Sequence, residues 1–266
     1  MADEVLLEVD GAVATVTLNR PEARNAMSSA LIRALGAVVG AADADPRVAV
    51  LVLTGADPAF CAGLDLKELG ADGGPLRRSP FDATGPAARP GRGGRGPTLP
   101  TAKPVIGAVN GPAVTGGLEL ALQCDFLVAS ERARFADTHG RVGVHPLWGL
   151  TVLLPEAVGL RRARQMSATG NYVDAATALA WGLVNHVVPH DELLPFARRL
   201  AADVASSDRR AVSAILATYE EAARVTGAEA WDVEQRGAAR LGGGGVDPEE
   251  IERRRRGVVE RGRSQT

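Results

Sequence analysis

The segment Phe60-Cys61-Ala62-Gly63-Leu64-Asp65-Leu66 joins a predicted strand to a predicted helix. The apolar run from Val48 to Leu53 has the character of a buried strand, and Thr54-Gly55 predicts a turn after it. Residues 64–69 have the spacing of a short helix. Small residues and a glycine at such a junction let a ligand approach the backbone, and free N–H groups at a helix start favour a negatively charged oxygen.

A second segment of the same kind follows further along the chain. Residues 104–110 predict a strand, and a loop of small residues from Gly111 to Gly117 leads into a helix that carries Glu119 in its first turns. Two strand-to-helix loops can aim two backbone N–H groups at one carbonyl oxygen, which is the arrangement of an oxyanion hole. The pair of loops therefore indicates a site that stabilises negative charge on a carbonyl oxygen.

Together with Ala23-Arg24-Asn25-Ala26 upstream, the two loops resemble those of the crotonase (enoyl-CoA hydratase/isomerase) superfamily, and the resemblance runs from about Val5 to Val259. It implies an α/β fold with a crotonase-like ββα superhelix, a spiral core over residues 1–190 that holds the acyl-CoA site. It also implies a C-terminal helical trimerisation region over residues 191–266. The implied substrate is an acyl-CoA thioester that carries its own coenzyme A, with no permanently bound cofactor.

Composition narrows the function classes. The chain has 266 residues, of which 45% are hydrophobic, enough for one large core, and its formal net charge of −2 gives no reason to expect a nucleic-acid or membrane partner. Two cysteines cannot build a disulfide framework, and no signal peptide or membrane span is evident, so a soluble cytoplasmic protein is expected. No residues have metal-ligand spacing, and no G-x-G-x-x-G pattern follows the first strand.

The remaining pattern predicts alternating strands and helices. Two strands at Val5–Val9 and Val13–Leu18 flank a turn, and Ser28 or Ser29 can cap the helix that follows. A strand, a helix and a strand in this order favour a parallel sheet with a crossover helix. Further elements are predicted at 125–130 (strand), 134–136 (strand), 151–158 (helix), 161–168 (helix), 175–181 (helix capped by Asp174) and 183–188 (strand), with 137–149 as a loop.

Two segments allow more than one interpretation. Residues 70–100 are crowded with glycine and proline and predict a loop, either a tolerated insertion or a flap over the acyl chain. The glycines at 242–245 and the arginines at 253–256 suggest a linker and a basic patch. Because glutamates flank the arginines, we favour a solvated helix face or a subunit interface.

The resemblance also implies roles for individual residues. The oxyanion donors would be the backbone N–H groups of Leu64 and Gly116, and Glu119 would be the acid/base. His139 stands where a hydratase carries a second glutamate. It is either an acid/base in its own right or a space-filling residue that hydrogen-bonds Glu119. His145 is interpreted as structural, and Leu147-Trp148 replace small residues in a way that narrows the pocket.

Contacts to coenzyme A follow from the same resemblance. Lys67 and Arg24 could meet its phosphates, although exposed side chains of this type are as often simply solvated. Cys61 is interpreted as a packing residue, because no base stands beside it. The residues expected to border the pantetheine and nucleotide are Ala23, Arg24, Ala62, Asp65, Leu66 and Lys67.

Three functions remain open from the sequence. Hydration of a 2-enoyl-CoA comes first, double-bond isomerisation with one base comes second, and acyl-CoA binding without efficient chemistry comes third. His139 and the Leu147-Trp148 pair favour the third function over the first. In the superfamily the C-terminal helices build homotrimers, often paired as hexamers, so a homotrimer or a dimer of trimers is expected.

Overall fold

The structure is a computed structural model that describes residues 3–65, 67–68, 99, 101–146, 148–223, 225, 227, 229 and 232–236. The predictions for Leu66 and Leu147, for nearly all of the 70–100 segment, and for the glycine and arginine runs after residue 236 lie outside the described residues. They stay predictions.

A six-stranded sheet forms the centre of the described part of the chain, in the order β1-β2-β3-β4-β6-β9. β1 and β2 are antiparallel, and every later neighbour in the sheet is parallel. The strands are β1 (Val5–Asp10), β2 (Val13–Leu18), β3 (Val50–Gly55), β4 (Val105–Val109), β6 (Phe126–Ser130) and β9 (His186–Val188).

The crossover between β2 and β3 is helix α1 (Ser29–Ala44), as predicted. Its N-cap is Ser28, whose Oγ accepts a hydrogen bond from the Leu31 amide at 3.0 Å. One face of the helix buries apolar side chains against the sheet. The strand–helix–strand order confirms the predicted parallel pairing, which runs from Val13 beside Val50 to Leu18 beside Gly55. Thr54 and Gly55 therefore end the strand, and the turn predicted at these two residues is wrong because both pair with β2.

A second sheet has the order β5-β7-β8, with β5 (Pro112–Val114), β7 (Arg134–Ala136) and β8 (Val173–Asp174). The loop predicted from Gly111 to Gly117 thus contains a short strand, which pairs in parallel with β7. The 137–149 segment, predicted as a loop, contains helix α3 (His139–Val142). Both elements are too short for a sequence pattern to reveal them, because β5 depends on its pairing with β7 and α3 packs against the helix at Leu160–Thr169.

The other predicted helices are present with bounds close to those expected. Gly159 separates α4 from α5, and Asp174 caps α6 by accepting from the Thr177 amide at 2.8 Å. The helices are α2 (Gly116–Leu122), α4 (Leu150–Val158), α5 (Leu160–Thr169) and α6 (Ala175–Trp181), followed by α7 (Leu193–Ala205) and α8 (Arg209–Ala222).

The central strands β3 and β4 of the main sheet are buried on both faces, whereas β1 at its edge is largely exposed. One face belongs to a core that includes α1, α2 and the helices after β7, and the other face lies beneath α7 through Leu193, Ala197 and Ala201. Burial on both sides explains why β3 and β4 read as continuous apolar runs. None of the helices in the described ranges is long and apolar enough to cross a membrane.

Candidate active site

The two loops singled out in the sequence lie against each other. A Cβ atom added to Gly63 would be 2.9 Å from the Val114 carbonyl oxygen and 3.4 Å from the Gly116 nitrogen, and one added to Gly117 would be 2.1 Å from the Cys61 carbonyl oxygen. A bridge between Cys61 and Ala113 joins the loops at the same level. This close approach brings the peptide that follows Gly63 beside the first amide of α2.

The two proposed oxyanion donors, the backbone N–H groups of Leu64 and Gly116, are not used in the backbone hydrogen bonds that join the described segments around them. Met27 donates to the Gly63 carbonyl at 2.7 Å and accepts from the Asp65 amide at 3.1 Å, which fixes the backbone on both sides of Leu64. Within the described ranges, neither the Leu64 amide nor the Gly116 amide donates to a backbone carbonyl. The loops therefore hold two neighbouring N–H groups in a fixed frame.

Thr115 sets the direction of the helix start. Its backbone lies at φ 55° and ψ −115°, which is rare for a residue with a branched side chain and is held by the surrounding structure. The Thr115 amide donates to the Ala136 carbonyl at 2.8 Å, and its hydroxyl shares a short hydrogen bond with the hydroxyl of Thr138. Thr115 occupies the N-cap position, but its side chain ties α2 to the segment after β7 rather than capping the helix.

Glu119 is buried, with 1% of its surface exposed. Its Oε1 accepts from the Trp148 amide at 2.8 Å and more weakly from the Leu150 amide at 3.4 Å. Its Oε2 lies 3.6 Å from Nε2 of His139. One carboxylate oxygen is thus held by backbone donors, while the other faces an imidazole.

His139 is buried between two carboxylates. Its Nδ1 is 2.6 Å from Oδ1 of Asp137, and its own amide donates to the same oxygen at 3.1 Å. Burial by itself lowers the pKa of His139, but the hydrogen bonds and negative charges of Asp137 and Glu119 outweigh it and raise the pKa to about 9. Burial by itself raises the pKa of Asp137. The hydrogen bonds from His139 and Ser167 lower the pKa by more than burial raises it, so the net shift is downward.

Sequence reasoning missed Asp137. The signal was a D-x-H triplet directly after a strand, in which the acid can accept from the backbone two residues on. It quoted Asn25 in the upstream motif but gave it no role, and this residue is fully buried at φ 55°. Asn25 donates to the carbonyls of Ala56 and Ala59 at 2.8 and 2.7 Å, so it pins the upstream loop to the end of β3.

Trp148 packs its indole against the start of α2. A Cβ atom added to Gly116 would lie 2.7 Å from Cζ3 of Trp148 and 3.0 Å from the terminal methyl of Met27. Trp148 and Met27 are both buried. The indole ring thus lies directly beside one proposed oxyanion donor, while the narrowing of the pocket predicted from Leu147-Trp148 stays a prediction.

The residues expected to border coenzyme A lie along neighbouring segments. The Ala62 amide donates to the Arg24 carbonyl at 3.0 Å, which joins the Ala23-Arg24 loop to the first strand-to-helix loop. Asp65 forms an ion pair with Arg20 at 3.1 Å, so its carboxylate also stabilises this junction. Ala23 is half-buried, whereas Arg24 and Lys67 are exposed and can reach a ligand in solution.

Cys61 is a buried packing residue, as predicted, whereas the structural role predicted for His145 stays a prediction. Burial raises the pKa of Cys61 to about 12, so its thiol stays protonated and acts as a packing group. His145 is exposed and its Nδ1 lies 2.6 Å from the Pro146 carbonyl oxygen. No group of three or more His, Cys, Asp or Glu side chains that could hold a metal ion occurs among the residues with a described position.

The site combines a buried glutamate with two adjacent loop amides. The fold around it is a spiral of parallel strands with a second sheet of short strands. Together these features define an α/β protein of crotonase type. The profile of the enoyl-CoA hydratase/isomerase family matches residues 8–241. A probable enoyl-CoA hydratase of Rhizobium meliloti (strain 1021) is 40% identical over 204 residues, which are 77% of this chain and 76% of that protein. The chain therefore belongs to the enoyl-CoA hydratase/isomerase family.

Solved structures are similar to this fold as well. The enoyl-CoA hydratase of Mycobacterium tuberculosis H37Rv matches with a TM-score of 0.71 and 49% identity, covering 90% of this chain and 94% of that one. The enoyl-CoA hydratase of Bacillus anthracis matches with a TM-score of 0.79 and 29% identity, covering 89% and 90%. These similarities confirm the predicted crotonase-like core, while the C-terminal trimerisation region stays a prediction.

Proposed function

We propose that this protein is an enoyl-CoA hydratase, which adds water to the double bond of a 2-enoyl-CoA. The observation that carries the proposal is the position of Glu119, with Oε1 held by two backbone amides and Oε2 facing His139. Relatives named enoyl-CoA hydratase at 35–40% identity support the same activity. One further relative is named short-chain-enoyl-CoA hydratase and comes from Clostridium acetobutylicum, at 37% identity.

The thioester carbonyl would accept hydrogen bonds from the Leu64 and Gly116 amides. When water attacks the β-carbon, electron density moves onto this oxygen and forms an enolate-like oxyanion. Fixed amide donors stabilise such charge, each by about 3 kcal/mol. The close approach of Gly63 to the Gly116 nitrogen supports two donors on one oxygen.

Glu119 and His139 would divide the proton transfers. Because Oε1 of Glu119 already accepts two amides, Oε2 is the oxygen that takes a proton from the attacking water. The hydroxyl bonds to the β-carbon, and the His139 imidazolium gives its Nε2 proton to the α-carbon. Glu119 then returns its proton to Nε2 across 3.6 Å, so the net change is the addition of one water molecule.

Coenzyme A would enter with the substrate rather than stay bound as a cofactor. The side chains of Arg24 and Lys67 would meet its phosphates, and their exposure together with the hydrogen bond from the Ala62 amide to the Arg24 carbonyl supports this role. The contact predicted for Leu66 lies outside the described residues and stays a prediction. Arg24→Ala tests this role of Arg24. We expect weaker acyl-CoA binding in the variant, seen as a higher KM with an unchanged kcat.

The position of Trp148 favours a second candidate function, acyl-CoA binding without turnover. Its indole lies against Gly116 and restricts the space beside the proposed oxyanion donor. A protein of this kind would bind saturated and unsaturated acyl-CoA alike but release both unchanged. Isomerisation of a 3-enoyl-CoA by Glu119 alone is the other outcome that the experiment must distinguish.

The experiment compares purified protein on crotonyl-CoA, a 3-enoyl-CoA and a saturated acyl-CoA. We expect loss of the conjugated enoyl absorbance with crotonyl-CoA and formation of the 3-hydroxyacyl product. Conversion of only the 3-enoyl thioester would favour an isomerase, and saturable binding without turnover would favour a binding protein.

Gly116→Pro tests the oxyanion donors in the same assay. Gly116 is the first residue of α2, where proline is compatible with a helix but removes the N–H group. Gly116→Ala is the matched control, since it adds a Cβ near Trp148 yet keeps the donor. We expect kcat of the folded proline variant to be about 10²-fold below that of the alanine variant. Equal activities would show that this amide is no donor.

Assembly and location belong to the same proposal. We infer a homotrimer or a dimer of trimers in the cytoplasm, without nucleic-acid or membrane partners. Two exposed apolar side chains on α8, Ile215 and Tyr219, lie one helical turn apart and support an apolar interface in the C-terminal region. Sedimentation at micromolar concentration should give a trimer or hexamer, and truncation at about Gly227 should give monomers or aggregates. A monomeric full-length chain would contradict this assembly.

A further inference from the structure

Asp137 contacts the side of His139 that faces away from Glu119, since it lies at Nδ1 of the ring whereas Glu119 lies at Nε2. Its carboxylate is almost fully buried, and Oδ1 binds both Nδ1 and the backbone amide of His139. Two bonds from one residue to one oxygen fix the position of the carboxylate relative to the ring. Ser167, on α5, adds a hydrogen bond to the same side chain.

The ring nitrogens of His139 are therefore not equivalent. An ionised carboxylate can only accept hydrogen bonds, so Nδ1 must carry a hydrogen whenever it faces Asp137. The proton that comes and goes is then the one on Nε2, the nitrogen 3.6 Å from Glu119. This tautomer presents a donor to Glu119 when the ring is charged and an acceptor when it is neutral.

The surroundings of His139 contain no competing positive charge among the described residues. Glu119 faces the ring from α2, and Asp137 faces it from the segment after β7. Arg141, on the same short helix as His139, directs its guanidinium to the Thr169 carbonyl and to Asn171. Ser167, which lies on α5, forms its hydrogen bond with Asp137 rather than with the imidazole.

We propose that Asp137 is a positioning residue that fixes His139 as an imidazolium with its Nε2–H directed at Glu119. The inference rests on the proposed hydratase function for its catalytic meaning. Its structural content stands apart from that function, because it concerns which nitrogen of His139 titrates and at what pH.

Asp137 and His139 together provide a proton donor at neutral pH at the position where a hydratase would use a second carboxylic acid. A carboxylic acid that donates a proton at neutral pH must have a raised pKa, whereas an imidazolium is already protonated there if negative charges surround it. The pKa of His139 near 9 agrees with that state. Asp137 keeps the ring charged and oriented until Nε2 gives its proton away, and Glu119 afterwards restores it.

The test is a titration of His139 followed through its ring ¹⁵N chemical shifts in the full chain. We expect Nδ1 to stay protonated throughout and Nε2 to titrate far above pH 6.5, and Asp137→Asn to lower that pKa by at least one unit. Asparagine keeps an acceptor oxygen of the same shape but lacks the charge. Asp57→Asn is the matched control, since Asp57 pairs with a different histidine, His190, at 2.9 Å.

Activity supplies a second readout. In Asp137→Asn, the alkaline limb of the kcat profile for crotonyl-CoA should move to lower pH, with KM nearly unchanged. An unchanged limb and an unchanged His139 titration would overturn the proposal, as would a wild-type ring that titrates at or below pH 6.5 or that carries its neutral-form proton on Nε2. The wild-type titration decides even if the variant does not fold.

The two hypotheses fail separately. If the wild type shows the expected titration but hydrates no 2-enoyl-CoA, the hydratase function fails and the positioning role of Asp137 stands. If crotonyl-CoA is hydrated but His139 titrates as an ordinary histidine, the positioning role fails and the hydratase function stands.

Discussion

Oε2 of Glu119 and Nε2 of His139 lie 3.6 Å apart in a buried site, so a carboxylate and an imidazole face each other where the family resemblance implies two carboxylates. Two carboxylates at this distance repel, and one of them must hold a proton. A carboxylate and an imidazolium attract, which favours the charged form of His139. The same position in the fold therefore supplies a proton donor by a different electrostatic route.

Glu119→Gln is expected to lower kcat for crotonyl-CoA by about 10²-fold or more, because glutamine keeps the shape but cannot take a proton from water. The amides of Trp148 and Leu150 still find an acceptor oxygen, so the variant should fold. Steady-state kinetics and thermal unfolding on the same sample check this. A variant with near wild-type turnover would remove Glu119 from the chemistry.

Substitutions of His139 distinguish its two possible roles. If His139 delivers a proton, both His139→Ala and His139→Glu should lose activity, the latter because Glu would stand between Asp137 and Glu119 and add a third negative charge. If a missing carboxylate limits the wild type, His139→Glu should gain hydration of a short 2-enoyl-CoA. His145→Ala is the matched control, since His145 is exposed. Unchanged turnover in both His139 variants would leave a structural role and favour a one-base isomerase.

Stability should fall between about pH 6.5 and pH 9. The pKa of His139 is raised from 6.5 in the unfolded chain to about 9 in the folded one, so its contribution is complete below pH 6.5 and is lost as the pH rises through 9. The shift corresponds to on the order of 3 kcal/mol. Urea unfolding of the wild type and of His139→Gln across this range measures it, and the glutamine variant should lack the slope. Parallel curves for the two proteins would contradict the raised pKa.

Trp148→Ala should widen the range of substrates. The indole lies against Gly116, whereas the hydrogen bond to Glu119 comes from the Trp148 backbone amide and survives the substitution. We expect kcat/KM for an eight-carbon 2-enoyl-CoA relative to crotonyl-CoA to rise by about tenfold, the effect of relieving one close apolar contact. Trp181→Ala is the control, because Trp181 is the last residue of α6 and its ring packs against the guanidinium of Arg162. An unchanged ratio would place the chain-length limit elsewhere.

Local pattern was enough to predict most elements of the fold. Apolar runs predicted β3 and β4, serine and aspartate caps predicted the starts of α1 and α6, and Gly159 marked the break between α4 and α5. These features depend on residues a few positions apart, whose side chains meet within one helix turn or one strand. The pairing of β5 with β7 was missed, since it depends on a partner segment distant along the chain.

The candidate site divides in the same way. The sequence by itself determined that two small-residue loops precede helices, that Glu119 stands in the first turns of one, and that His139 replaces a second acid. Only the tertiary structure decided that Asp137 binds the far side of His139, that the Trp148 amide holds Glu119, and that its indole covers Gly116. The physical reason is that distances of a few ångströms between these groups follow from sheet pairing and from the path of the 137–149 segment. Neither is encoded in the spacing of neighbouring residues.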